Sequence, residues 1–306
     1  MDILETDAFD RRQRRNMVRE NNLLISGQQL FNIQTLSPCG KDEIHNKSNS
    51  SCYSFPRFYL PPPPPLYQSC ALLLSLLPFF LSAALFFYLW TPDSSASIMS
   101  AGVKSAPVLL LAAAVLSWNG GQSVLGVVGG LIFSAVGDCC LVWPDLFLPG
   151  MAAFGVAHLL YSFTFLSSRY SAYSSSSSSS SSSIWIRSLY LILFMIGGGF
   201  YIYMYPFLQK APDSGVLLPA VGVYIALIVL MGSLAIRTRN MATLLGSLVF
   251  MVSDLSLALQ VFKVVAPMEH GHVVVMVTYY LAQLLIAVGD VNAANSNDDI
   301  AKWKRS

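Results

Sequence analysis

Residues 130–144 read "GLIFSAVGDCCLVWP", and this stretch decides the fold class. It is apolar enough to lie in a lipid bilayer, yet Asp138 sits inside it. A carboxylate at such depth costs about 2.5–3.5 kcal/mol on insertion scales, so something must keep it there. The same arrangement returns at 246–258, "GSLVFMVSDLSLA", where Asp254 follows Gly246 by eight residues as Asp138 follows Gly130. Two acids in matched apolar settings point to a polar site inside a membrane protein.

Composition says the same of the whole chain. Of 306 residues, 54% are hydrophobic and only 11% are charged. Soluble domains carry about 25% charged residues. The net charge of +2 is small and dispersed, which argues against a nucleic-acid partner. Five cysteines (Cys39, Cys52, Cys70, Cys139 and Cys140) show no CxxC and no metal-ligand spacing, so neither a disulfide framework nor a zinc site is expected.

Eight apolar stretches follow one another at 69–90, 101–118, 122–142, 146–168, 184–208, 215–235, 241–262 and 272–290. Each is near the roughly 20 residues that a bilayer-spanning helix needs. The fold class expected is therefore all-α, a polytopic bundle of eight transmembrane helices filling 67–290. Residues 1–66 are polar and uneven, and read as a disordered cytosolic tail. "RRQRR" at 11–15 lies beside Asp2, Glu5, Asp7 and Asp10, which argues against a transit peptide. "PPPPP" at 61–65 reads as a stiff spacer, and the serine-rich stretch at 167–183 as a flexible loop. Residues 291–306 form a second cytosolic tail.

Basic residues set the orientation. Arg169, Arg187, Arg237 and Arg239 fall on the amino-terminal side of the bilayer, with eight more in the first tail and three in the last. The opposite edges hold only Lys104, Lys210 and Lys263. By the positive-inside rule both termini are cytosolic, in the endoplasmic reticulum or another endomembrane. Sequons at Asn46 and Asn49 matter only if that orientation is inverted.

With spans three and seven both running outward, Asp138 and Asp254 lie in the non-cytosolic half. Span four returns inward with Phe154, His158 and Tyr161 on one helical face. Span eight offers Tyr279, Tyr280 and Gln283 at matching depth. Ser134 and Gly137 share the face of Asp138, Ser253 adjoins Asp254, and Lys104 enters span two from the same side. The plainer alternatives are structural: a hydrogen-bonded knot between spans three and seven, a packing role for His158, interhelical bonding by the tyrosines and glutamine, and a snorkelling Lys104. The glycines at 126, 130 and 197–199 read as close helix contacts.

The chain has no GxSxG elbow, no HExxH and no glycine-rich phosphate loop, and His270 and His272 form only an HGH. What remains is carboxylate acid–base chemistry. A low-dielectric pocket separates the protonation states of neighbouring carboxyls, so one keeps its proton while the other ionises. Glycosidases use that division to form and capture an oxocarbenium-like centre.

"SAVGDCCL", "FGVAHLLYSFTF", "FMVSDLSLAL" and "TYYLAQLLIA", in that order and on those spans, resemble the blocks of the YhhN-type lysoplasmalogenase family of eight-span membrane proteins. The resemblance covers about 69–290. "VKSAP" at 103–107 matches the family's entry to span two only loosely, which bears on Lys104. The resemblance implies hydrolysis of the vinyl ether bond of lysoplasmalogens, with Asp138 and Asp254 as the catalytic pair. The residues placed at the same depth, His158, Tyr161, Ser134, Ser253, Tyr279, Tyr280, Gln283 and Lys104, are expected in supporting or substrate-binding roles. The partners implied are a lysophospholipid, water and membrane lipids, with no metal and no organic cofactor. Two rivals share the same residues: a proton-coupled transporter and a non-enzymatic lipid-binding membrane protein. The G-x7-D pattern, 116 residues apart on parallel spans, also hints at a 4+4 internal repeat.

Overall fold

The computed structural model describes residues 66–89, 96–119, 124–167, 170, 180–211, 213–264 and 271–305. The chain divides into two units, Met1–Cys52 and Tyr53–Ser306, and everything described belongs to the second. The first tail, its basic cluster and sequons, the proline run, His270 and most of the serine loop lie outside the described residues.

Eight long helices carry the described chain. They are α1 (Leu66–Leu89), α2 (Ile98–Asn119), α3 (Gly129–Cys140), α4 (Phe147–Leu166), α5 (Ser180–Leu208), α6 (Ser214–Thr238), α7 (Met241–Val261) and α8 (Gly271–Arg305). Inside lipid every backbone N–H and C=O must be satisfied within the segment, so apolar runs of this length have no alternative to the helix. Six of the eight, α2 and α4–α8, are long and apolar enough to cross a membrane. The other two contribute shorter apolar stretches, Leu73–Leu89 and Leu125–Cys140. The protein is an integral membrane helix bundle.

The third, fifth and eighth spans depart most from the boundaries read in the sequence. The third span is not one continuous helix over 122–142. A π-helical turn at Val124–Val128 precedes α3, and Gly126 within it leaves helical geometry at φ −110°, ψ −114°. A side chain there would run into Thr164 of α4, so the glycine admits both the kink and the close approach. α3 then stops at Cys140, because Pro144 confines Trp143 to an extended conformation (φ −103°, ψ 123°). α5 begins at Ser180, so the end of the serine tract is helical. α8 continues past residue 290 as far as Arg305.

α6 and α7 are joined through only two residues. Arg239 is left-handed (φ 54°) and ends α6. Asn240 caps α7 by accepting from the backbone N–H groups of Ala242 and Thr243 at 3.1 and 3.2 Å. Its amide also donates to the Gly289 carbonyl at 3.1 Å, pinning the turn to α8.

The main helix contacts form a closed circuit. α2 packs on α3, α3 on α4, α4 on α6, α6 on α7, α7 on α8, and α8 back on α2. α1 packs outside against α2, and α5 outside against α6. The outer position of α5 explains its lipid-facing surface, with Phe194 and Met195 exposed at 65% and 69%.

Close packing rests on small residues, as expected where lipid supplies no hydrophobic drive between helices. A Cβ at Gly246 would stand 2.9 Å from the Ile286 backbone nitrogen and the Leu285 Cβ, and a main chain cannot swing aside. Gly246→Ala is therefore expected to lose about 1–3 kcal/mol through overpacking. Thermal unfolding in detergent reads this directly. Gly198→Ala is the control, because a Cβ there meets nothing within 4 Å. Gly198 and Gly199 are thus not close contacts, whereas a Cβ at Gly197 would press on Val229.

Candidate active site

The polar residues of the bundle interior gather into three groups, each bridging helices distant in sequence. The first surrounds Asp254. Tyr224 of α6 donates its hydroxyl to Asp254 Oδ2 at 3.0 Å. His158 Nε2, on α4, lies 3.0 Å from the same oxygen and 3.2 Å from the Tyr224 hydroxyl. The other imidazole nitrogen faces Met231 Sδ at 3.3 Å. The ring is packed against Phe250, centroid to centroid 4.8 Å, and the residue is completely buried. Both contacts to Asp254 converge on Oδ2, so Oδ1 takes part in neither.

The second group surrounds Asp138. Tyr279 of α8 donates to Asp138 Oδ2 at 2.7 Å, and Lys104 Nζ stands 3.8 Å from Oδ1. Tyr280 donates to the Lys104 carbonyl at 2.7 Å, fixing the backbone that carries the cation. Gly137 is part of this construction, since any side chain there would overlap the Phe154 ring.

The third group lies one helical turn from the other two. Tyr161 donates to Gln283 Oε1 at 2.6 Å, with Ser134 fully buried beside them. Gln283 is wholly buried, and its Nε2 has no partner among the described residues. Spacing produces the layering: Ser134 and Asp138, His158 and Tyr161, and Tyr279 and Gln283 are each three or four apart on their helices. Ser253 stands outside all three groups, donating to the Val275 carbonyl at 3.0 Å and tying α7 to α8.

Aromatic rings link the two acidic groups. Tyr279 meets Phe154 at 5.9 Å and Phe250 at 5.6 Å, and Phe250 in turn meets His158. The two carboxylates are thus joined through a relay of contacts, from Tyr279 to Phe250 to His158. They do not share one cavity wall. An open pocket of about 530 Å³ runs from Leu141, Phe147 and Phe262 near the helix ends down to Phe154, Tyr224 and Asp254. Asp138 is not among its lining residues. The pocket wall is apolar apart from Tyr224 and Asp254.

Tyr224, Met231 and Phe250 were not legible as site residues. A single tyrosine in "VGVYIALIVLMG" looks like any amphipathic residue of an apolar helix. The available signal was its depth, since it lies about as far into α6 as Tyr279 lies into α8.

The sequence profile of the YhhN family matches residues 99–289. The chain is 38% identical over 202 residues to the Homo sapiens protein named lysoplasmalogenase TMEM86B, covering 65% of this chain and 79% of that one. It is 33% identical over 228 residues to Bos taurus lysoplasmalogenase TMEM86A, covering 69% and 86%. It is 32% identical over 222 residues to Homo sapiens lysoplasmalogenase TMEM86A, covering 67% and 83%. No solved structure matches the chain.

Proposed function

The chain belongs to the YhhN family, and on that premise we propose that it hydrolyses the vinyl ether bond of lysoplasmalogens. The products are a fatty aldehyde and the glycerophospho-base. The observation that carries the reading is a carboxyl and a phenol at the floor of an otherwise apolar pocket, with a buried imidazole hydrogen-bonded behind them. Such a pocket suits a lipid chain whose one reactive bond must meet a proton. The shared name of the relatives favours the enzyme over a transporter or a passive lipid binder.

The chemistry asks for a proton, a stabilised cation and a water. A carboxylic acid protonates the β-carbon of the vinyl ether, and the enol ether becomes an oxocarbenium ion. The conjugate carboxylate stabilises that cation and takes a proton from the attacking water. The hemiacetal then collapses, its hydroxyl proton leaving as the glycerol oxygen regains one, and the acid is restored. Asp254 and Asp138 are the two carboxyls of this scheme, one as the acid that donates to carbon and the other as a standing negative charge beside the cation. His158 and Tyr224 orient Asp254, while Lys104 and Tyr279 fix Asp138. Tyr161, Ser134 and Gln283 brace the layer one helical turn away, and Tyr280 fixes the backbone of Lys104.

The experiment is direct. Purified protein in detergent micelles should release aldehyde from 1-alkenyl lysophospholipid and leave the 1-acyl analogue intact. Equal cleavage of both, or of neither, would retire the proposal.

The finer topology belongs to the same reading. Both tails, 1–66 and 291–306, and the serine loop are cytosolic, in the endoplasmic reticulum or another endomembrane, as the Lys/Arg asymmetry indicates. In sealed vesicles of that membrane, protease added from the cytosolic side should remove the tails and cut the serine loop. Glycans on Asn46 or Asn49 would reverse the assignment, and with it the leaflet from which Asp254 is reached.

A further inference from the structure

The packing of the eight helices repeats. Advancing each label by four turns α1–α2, α2–α3 and α3–α4 into α5–α6, α6–α7 and α7–α8. The same step turns α4–α6 into the α8–α2 contact that closes the circuit. The aspartates obey it too. Asp138 on α3 is held from α2 by Lys104 and from α8 by Tyr279. Asp254 on α7 is held from α6 by Tyr224 and from α4 by His158. The glycine eight residues before each acid follows suit. The room at Gly130 is taken by Tyr161 of α4, and the room at Gly246 by Leu285 and Ile286 of α8.

What stands beside the two acids does not repeat. Asp254 lies on the open pocket lined from α4, α5, α6 and α7. In the quarter that the same step reaches, made of α8, α1, α2 and α3, rings of α1 pack onto α8. Phe79, Phe86 and Phe87 meet Tyr280 edge-on at 6.4, 5.7 and 6.0 Å, and Phe86 also meets His272 at 6.3 Å. Phe79 and Phe86 are themselves buried. Where Asp254 has a neutral phenol, Asp138 has a lysine ammonium, and it is only 2% exposed.

We infer that one half of this repeat is open to lipid and the other is plugged: Asp254 is the carboxyl that meets the ligand, and Asp138 is its sealed counterpart. The ligand is a single-chain lipid. Its chain lies along Phe147, Met151, Leu255, Ala258 and Phe262, and its first polar atoms reach Asp254 and Tyr224. This rests on the functional reading above for the identity of the lipid, and it adds a division of labour. Proton transfer to carbon is the work of Asp254, and Asp138 contributes only a fixed charge behind the wall of Phe154 and Tyr279.

The test needs no turnover. The full chain in detergent micelles is treated with dicyclohexylcarbodiimide, an apolar reagent that adds to protonated carboxyls it can reach, and the modified residues are read by mass spectrometry. Asp254 is expected to be modified several times faster than Asp138 between pH 5 and 8. A saturated 1-alkyl lysophospholipid, which has no vinyl bond to cleave, should slow that modification as its concentration rises. Comparable modification of Asp138, absence of modification at Asp254, or indifference to the lipid would each overturn the inference. A protein that modifies as expected yet releases no aldehyde loses the hydrolase reading and keeps the asymmetry. One that releases aldehyde while only Asp138 is modified keeps the reading and loses the asymmetry.

Discussion

Asp254→Asn is expected to stop aldehyde release, with a loss well above 10²-fold in kcat, while the protein melts close to the wild-type temperature. General acid–base catalysis contributes about 10²–10⁴, and stabilisation of a developing charge adds to it. Asparagine nearly preserves the shape of the side chain and still accepts from Tyr224 through its carbonyl oxygen, so the contacts around position 254 largely persist. What it lacks is a transferable proton. Asp138→Asn should also reduce turnover, but less, because it removes a charge behind the wall and leaves the proton donor in place. Activity per folded molecule is the quantity to compare, with thermal unfolding measured on the same samples. A well-folded Asp254→Asn protein with near-normal turnover would take the residue out of the mechanism.

The second large effect is on stability. Lys104→Met is expected to destabilise the bundle by about 3–5 kcal/mol, the usual result of leaving one member of a buried ion pair alone. Asp138 is almost fully enclosed, and Tyr279 supplies one hydrogen bond but no charge. The converse change is milder. With asparagine at 138, Lys104 is still 13% exposed and can extend toward the interface. The double variant Lys104→Met with Asp138→Asn should therefore recover most of what the single lysine change loses. Thermal or denaturant unfolding of the four proteins in detergent gives the coupling directly. Additive losses would mean that the 3.8 Å pair contributes nothing.

The legible part of this protein was whatever violates the chemistry of its surroundings. Asp138, Asp254, Lys104 and His158 stand out because a charged or titratable group in an apolar run needs a reason to be there. Helix count was legible for the same cause, since runs near 20 apolar residues have one conformation in lipid. Tyr224 was hidden because tyrosine is ordinary in a membrane helix, and only its partner makes it a site residue. The kink at Gly126 was hidden because a glycine reads equally as a kink or as a close contact, and here it is both. The sequence offered the G-x7-D repeat as a hint of two related halves. It offered no sign that aromatic side chains close one half and leave the other open, because plugging depends on which rings meet across helices far apart in the chain.

The closure of the circuit by α8 has a consequence for biosynthesis. Tyr279 lies 141 residues downstream of the acid it serves. At ribosomal speeds of about 5–20 residues per second, that interval lasts roughly 7–30 s. Throughout it, the third helix has already been offered to the bilayer with only Lys104 to answer its charge. The lysine, 34 residues upstream, is thus the early partner and the tyrosine the late one. A ribosome that stops before α8 leaves an open arc of helices with an unsatisfied acid in lipid, a form that quality control in the membrane can recognise by its charge alone.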